Sequence, residues 1–193
     1  MNSEEQTKII NFALGDIITT PYLERTGDGS RSILRYNYAG DGSRRILRYN
    51  YADYDNKGDN YNHIIDNVYV GNILSFEDNN FIAGLDQIIS LVKPPASMNH
   101  IHSTQVLFDD MDYVNILPYA ERIYALLDTD NKTLVHCAAG RSRSCAVVLY
   151  YIMKKHNITF QEAYDILKVK RPDMCINEGF IRTLKQYEKC LRL

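Results

Sequence analysis

The stretch Thr133-Leu134-Val135-His136-Cys137-Ala138-Ala139-Gly140-Arg141-Ser142-Arg143-Ser144 decides how this chain is read. Its first three residues are β-branched or apolar and suit a short buried strand. A cysteine follows, then small residues and a glycine, with an arginine six positions beyond the cysteine. After residue 143 the apolar pattern turns helical, so the unit reads strand, tight loop, helix. Such a loop can curl so that successive backbone N–H groups point inward as an anion nest. The positive end of the following helix strengthens that field.

Ala138, Ala139 and Gly140 keep the turn free of bulk, and Arg141, Ser142 and Arg143 complete the ring. These six are the expected substrate-binding residues. Arg143 can bridge two phosphate oxygens with its planar fork, which lysine cannot do. The same field favours the thiolate form of a cysteine, so Cys137 is the expected nucleophile toward a phosphoester. Ser144 is placed for its hydroxyl to bond that sulfur and ease its departure in a second step. His136 is expected to orient the loop by hydrogen bonds from behind. The competing reading of Cys137 is a buried structural cysteine. A Walker-type nucleotide loop is excluded, because no GxxxxGK[ST] exists in the chain.

Outward from the loop, strands alternate with helices. Residues 68–70, 87–92, 105–108 and 133–135 read as strands, and 76–85 and 118–127 as helices. Three more helices are predicted over 143–156, 160–170 and 178–191, the last capped by Asn177. This order predicts an α/β fold with a mostly parallel central sheet flanked by helices. Ligands of such sheets bind beyond the carboxyl ends of strands, where His136 and Cys137 fall.

The first 60 residues differ in character. Ser3 with Gln6 fits a capping box before apolar residues at helical spacing, predicting a helix over residues 3–14. A tandem duplication follows: residues 27–39 read GDGSRSILRYNYA and residues 40–52 read GDGSRRILRYNYA. Leu34, Tyr36 and Tyr38 alternate, as do Leu47, Tyr49 and Tyr51, which with the intervening GDGS predicts a β-hairpin. Two copies are too few for a solenoid. The domain boundary is set near Asn60, giving an amino-terminal extension over 1–60 and a catalytic domain over 61–193.

Composition narrows the classes. The chain has 193 residues, is 45% hydrophobic and carries a net charge of −2, so a real core is expected and general nucleic-acid binding is not. No apolar run reaches the ~20 residues a membrane span needs, and no secretory signal precedes the helix at 3–14. The expectation is a soluble, intracellular protein. Four cysteines, at 137, 145, 175 and 190, show no CxxC and no zinc spacing, so neither metal nor cofactor is expected. Cys145 is read as a packed helix cysteine, with a regulatory disulfide to Cys137 as the alternative, and Cys175 and Cys190 as structural.

HCAAGRSRS resembles the HCxxGxxRS signature of the cysteine-based phosphatases, closest to the dual-specificity branch. IDNVYVGN upstream resembles that branch's opening strand, and VVLYYIMKK and KVKRPDMCINEGFIRTLKQYE resemble its core helix and carboxyl-terminal helices. The resemblance runs from about residue 63 to the end. It implies a protein tyrosine phosphatase-like fold and hydrolysis of phosphotyrosine, phosphoserine and phosphothreonine in protein substrates through a cysteinyl-phosphate intermediate. It also implies a general acid on an upstream loop, for which Asp109, Asp110 and Asp112 are candidates. Spacing to Asn115 and Ile116 favours Asp110 over Asp109, while the bland alternative for all three is a solvated acidic turn.

The chain contains no tryptophan, so the WPD acid loop of large tyrosine-specific phosphatases is absent. Two alternatives stay open: an RNA 5′-phosphatase, with the duplicated arginines tracking a polyanion, and a phosphoprotein-binding module without turnover. The remaining partner expectation is a homodimer formed through the amino-terminal extension.

Overall fold

In the computed structural model the described residues are 59–93, 102–127 and 130–191, with three strands upstream of them. Those strands are β1 (Tyr22–Arg25), β2 (Arg31–Tyr38) and β3 (Arg44–Asn50), and they form an antiparallel sheet in that order. β2 and β3 are the two copies of the duplication, paired with Tyr36 opposite Ile46, so the expected hairpin forms. β1 is an addition that the repeat did not announce. The helix expected over residues 3–14 lies outside the described residues.

The second sheet comprises β4 (Tyr61–Ile65), β5 (Val68–Gly71), β6 (Gln87–Ser90), β7 (Ser103–Gln105) and β8 (Thr133–His136). Their order is β4-β5-β8-β6-β7. β5, β8, β6 and β7 run parallel, but β4 pairs antiparallel with β5, so the sheet is mixed rather than mostly parallel. The cause is local: only Asp66 and Asn67 separate β4 from β5, and so short a turn can only reverse the chain. Asp66 takes φ 50°, which aspartate tolerates better than most residues. β4 went unforeseen because Tyr61 and Asn62 continue a polar linker sequence.

Among the described residues, five α-helices surround this sheet: α1 (Asn79–Ala83), α2 (Leu117–Leu127), α3 (Arg143–His156), α4 (Phe160–Lys170) and α5 (Glu178–Leu191). The last three have the predicted bounds. The helix expected over 76–85 is instead a 3₁₀ turn, Ile73–Glu77, followed by the short α1. Asp78 makes the break, its carboxylate accepting from the Phe81 N–H at 2.9 Å. The strand expected over 105–108 falls earlier, as β7, and residues 106–110 run on without regular structure.

Strand alternation sorts the core into two layers. Val70, Ile89 and Val135 face a large cluster shared with α2, α3, α4 and α5, whereas Ile88 and Leu134 face a small one with Ile82 of α1. α3 is buried from Arg143 through Met153, as expected of a helix apolar on nearly every side. The parallel register sets Gly71, His136 and Ser90 side by side at the carboxyl ends of β5, β8 and β6. Cys137 is the next residue along the chain.

Candidate active site

The loop from Cys137 to Ser142 joins β8 to α3, and it is tied down from several sides. The Cys137 N–H donates to Gly71 O at 3.4 Å, and Ala138 O accepts from the Ile73 N–H at 3.1 Å. Gly140 turns the chain with φ 65°, and a Cβ there would lie 2.7 Å from the Gly71 carbonyl and from Arg171 Nη2. Only glycine satisfies both demands. Among the described residues, the amides of residues 138–142 donate to no protein acceptor. A curled loop with unspent donors at a helix amino terminus is the arrangement an oxyanion requires.

At the floor of this loop Cys137 is 2% exposed, and its sulfur lies 3.3 Å from Ser144 Oγ in the first turn of α3. Arg143, also 2% exposed, donates through Nη1 to Phe108 O at 3.2 Å and to Leu91 O at 3.4 Å. Those two bonds fix the guanidinium. Its Nε is buried with no hydrogen-bond partner, and the Asp110 carboxylate at 3.8 Å is an ion pair beyond hydrogen-bond reach. An unsatisfied buried donor is unfavourable unless a ligand completes it.

His136 is fully buried behind the loop. Its Nε2 lies 2.7 Å from Ser90 Oγ, its Nδ1 3.4 Å from Cys137 O, and Phe76 meets the ring edge-on. Desolvation, with the nearby Arg143 charge adding to it, pushes the imidazole down to about 4, against the bond to Cys137 O. A neutral ring with that geometry donates from Nδ1 to Cys137 O and accepts at Nε2 from the Ser90 hydroxyl.

Of the three aspartates, the structure brings Asp110 to the loop. Its Oδ1 accepts from Ser142 Oγ at 2.7 Å. Asp112 is turned away, exposed and 3.9 Å from Arg182. Asp109 is half-buried beside it.

The side chains of the expected binding residues do not all point inward. Arg141 is exposed and donates from Nε to Asp173 O at 2.7 Å, so only its backbone belongs to the ring. Ser142 likewise spends its hydroxyl on Asp110. Cys145 is buried as expected, its thiol donating to Gly140 O at 3.4 Å and pushed upward by desolvation. Cys175 and Cys190, read as structural, are exposed.

Sequence reasoning missed Arg171. In Lys170-Arg171-Pro172 it reads as a surface cation ending a helix. It is 1% exposed, and its Nε donates to Gly140 O at 3.1 Å. Its Nη1 donates to Asp59 O at 2.6 Å and Asn62 Oδ1 at 2.5 Å. The requirement for glycine at 140 was the one trace of it. Among the described residues, no group of three or more acidic, histidine or cysteine side chains could hold a metal. Nor is any helix there long and apolar enough to cross a membrane.

A family model described as "Dual specificity phosphatase, catalytic domain" matches residues 68–190. The chain belongs to this family, the dual-specificity branch of the cysteine-based protein tyrosine phosphatases, and is a protein phosphatase of that class. The 123R protein of Invertebrate iridescent virus 6, which bears a tyrosine-phosphatase name, is 34% identical over 133 residues, 66% of this chain and 92% of that one. Mouse dual specificity protein phosphatase 12 is 36% identical over 115 residues, covering 55% of this chain but only 34% of its own length. Among solved structures, human DUSP28 superposes with a TM-score of 0.62 at 21% identity, over 71% of this chain and 98% of that one. That likeness speaks for the fold alone.

Proposed function

We propose that residues 61–193 hydrolyse phosphotyrosine and phosphoserine or phosphothreonine in proteins, with Cys137 as nucleophile. The sulfur anion attacks phosphorus and the ester P–O bond breaks. Asp110 gives its proton to the departing oxygen. The loop amides and Arg143 hold the three equatorial oxygens of a loose transition state. Water then attacks the cysteinyl-phosphate, Asp110 takes its proton, and the leaving sulfur is stabilised by the Ser144 hydroxyl. His136 keeps the loop carbonyl at Cys137 in place.

The observation that carries this reading is the buried Nε of Arg143, without a hydrogen-bond partner, in the same loop as the buried Cys137 sulfur. A panel of phosphopeptides and triphosphate-ended RNA, with C137S as control, tests it. Phosphopeptide turnover lost in C137S, with phosphate affinity kept, is the expected result. Preference for RNA ends would transfer the substrate assignment, and phosphopeptide binding without turnover would make the chain a binding module.

The nucleophile must stay reduced, and all four cysteines are free, which supports an intracellular location. To residues 1–60 we assign self-association. Among the described residues the β1 and β3 edges of the small sheet have no further strand partner, and open edges favour pairing with a second copy. A monomeric mass by light scattering would refute this.

A further inference from the structure

Ser142 occupies the N-cap position of α3, yet makes no cap bond to its own helix. Serine is favoured at that position because its oxygen satisfies an amide of the first turn. Here the hydroxyl is committed elsewhere. It donates to Asp110 Oδ1 at 2.7 Å and accepts from the Asn177 N–H, just before α5, at 3.1 Å. One oxygen thus joins three segments distant in sequence: the cysteine loop, the aspartate loop and the start of α5.

We propose that Ser142 is a positioning residue for Asp110, holding the aspartate loop docked over the cysteine before substrate arrives. The inference rests on Asp110 being the general acid. The bond to Oδ1 fixes the rotation of the carboxyl group and directs Oδ2 to the Arg143 side, where Nε lies 3.8 Å away. The other end of the loop is held by packing: a Cβ at Gly179 would lie 2.0 Å from Asp112 O, so α5 presses directly on that backbone. Asn177, whose N–H holds Ser142, also accepts the Gly179 N–H at its side-chain oxygen at 2.8 Å. The two anchor points are therefore linked through three consecutive residues of α5's start.

A general acid matters most when the departing oxygen is a poor leaving group. The experiment compares kcat/KM on an unactivated aryl phosphate and a nitro-activated one, for the full chain and for S142A, S142T, D110N and S142A/D110N. In S142A the unactivated ester should lose about tenfold, the upper end of what one hydrogen bond is worth in a rate, while the activated ester is barely affected. S142T should restore the rate, and the double variant should fall no lower than D110N. Equal losses on both esters, or losses that multiply in the double variant, would overturn the proposal. Undiminished turnover of the unactivated ester by D110N would overturn the assignment of the acid, and this proposal with it.

Discussion

Ser144 Oγ lies 3.3 Å from Cys137 Sγ, both buried, at the point where the loop becomes helix. A hydroxyl at that distance donates to the sulfur whenever it carries negative charge. In the proposed reaction, charge develops there as the sulfur leaves phosphorus. Ser144→Ala should therefore slow breakdown of the cysteinyl-phosphate more than its formation. We expect kcat to fall about 10- to 100-fold, the range for one hydrogen bond to a charged group. A rapid burst of released phenol before the slow steady state is the signature to measure.

Arg143→Lys keeps the charge but removes the fork. Nη1 anchors the side chain on Phe108 O and Leu91 O, and Nε, without a hydrogen-bond partner, is the donor that the proposed reading assigns to phosphate. Lysine cannot anchor and donate in that geometry. A loss of about 10²- to 10³-fold in kcat/KM, comparable to deleting one oxyanion donor, is the expected outcome. Steady-state kinetics on an aryl phosphate will read it.

Gly140→Ala should damage both stability and activity. The new methyl meets the Gly71 carbonyl and Arg171 at 2.7 Å, and φ 65° is strained for alanine. Backbone strain of this kind amounts to about 1–3 kcal/mol before any clash. A lower denaturant midpoint together with lost turnover is expected; an unchanged midpoint would contradict the packing described.

His136 predicts a pH limit on stability. Folding depresses the imidazole from its usual ~6.5 to about 4, so between those values the unfolded chain binds more protons. Stability from this group is present above pH ~6.5 and is lost as pH falls toward 4, by roughly 3 kcal/mol at the lower end. Unfolding titrations of the wild type and His136→Gln between pH 7 and 4 should show a flatter profile for the variant.

How much of this was legible in the sequence depended on range. The Cys137, Arg143 and Ser144 cluster lies within eight residues, and α3, α4 and α5 carry their own periodicity, so local reasoning placed those residues at the end of β8 and the start of α3. Asp110 was approached through its spacing to Asn115, whose side chain does accept from the Leu117 N–H at 3.1 Å. What escaped was contact across the chain. Arg171 reaches Asp59 over 112 positions, and the Ser142 hydroxyl leaves its own helix for a residue 32 positions upstream. β4 hid in a polar run because it is a sheet edge whose partner lies on one side only. The break at Asp78 was similarly decided by one side-chain bond that periodicity does not register.

The guanidinium of Arg171 has a practical consequence. It binds Asp59 O and Asn62 Oδ1 with one nitrogen and the Gly140 carbonyl with another, so a single cation links the incoming chain to the cysteine loop. A shortened chain starting at residue 68, where the family match begins, would strip that cation of two acceptors. Where the chain is cut on its amino-terminal side therefore decides how many partners hold the cation behind the Gly140 turn.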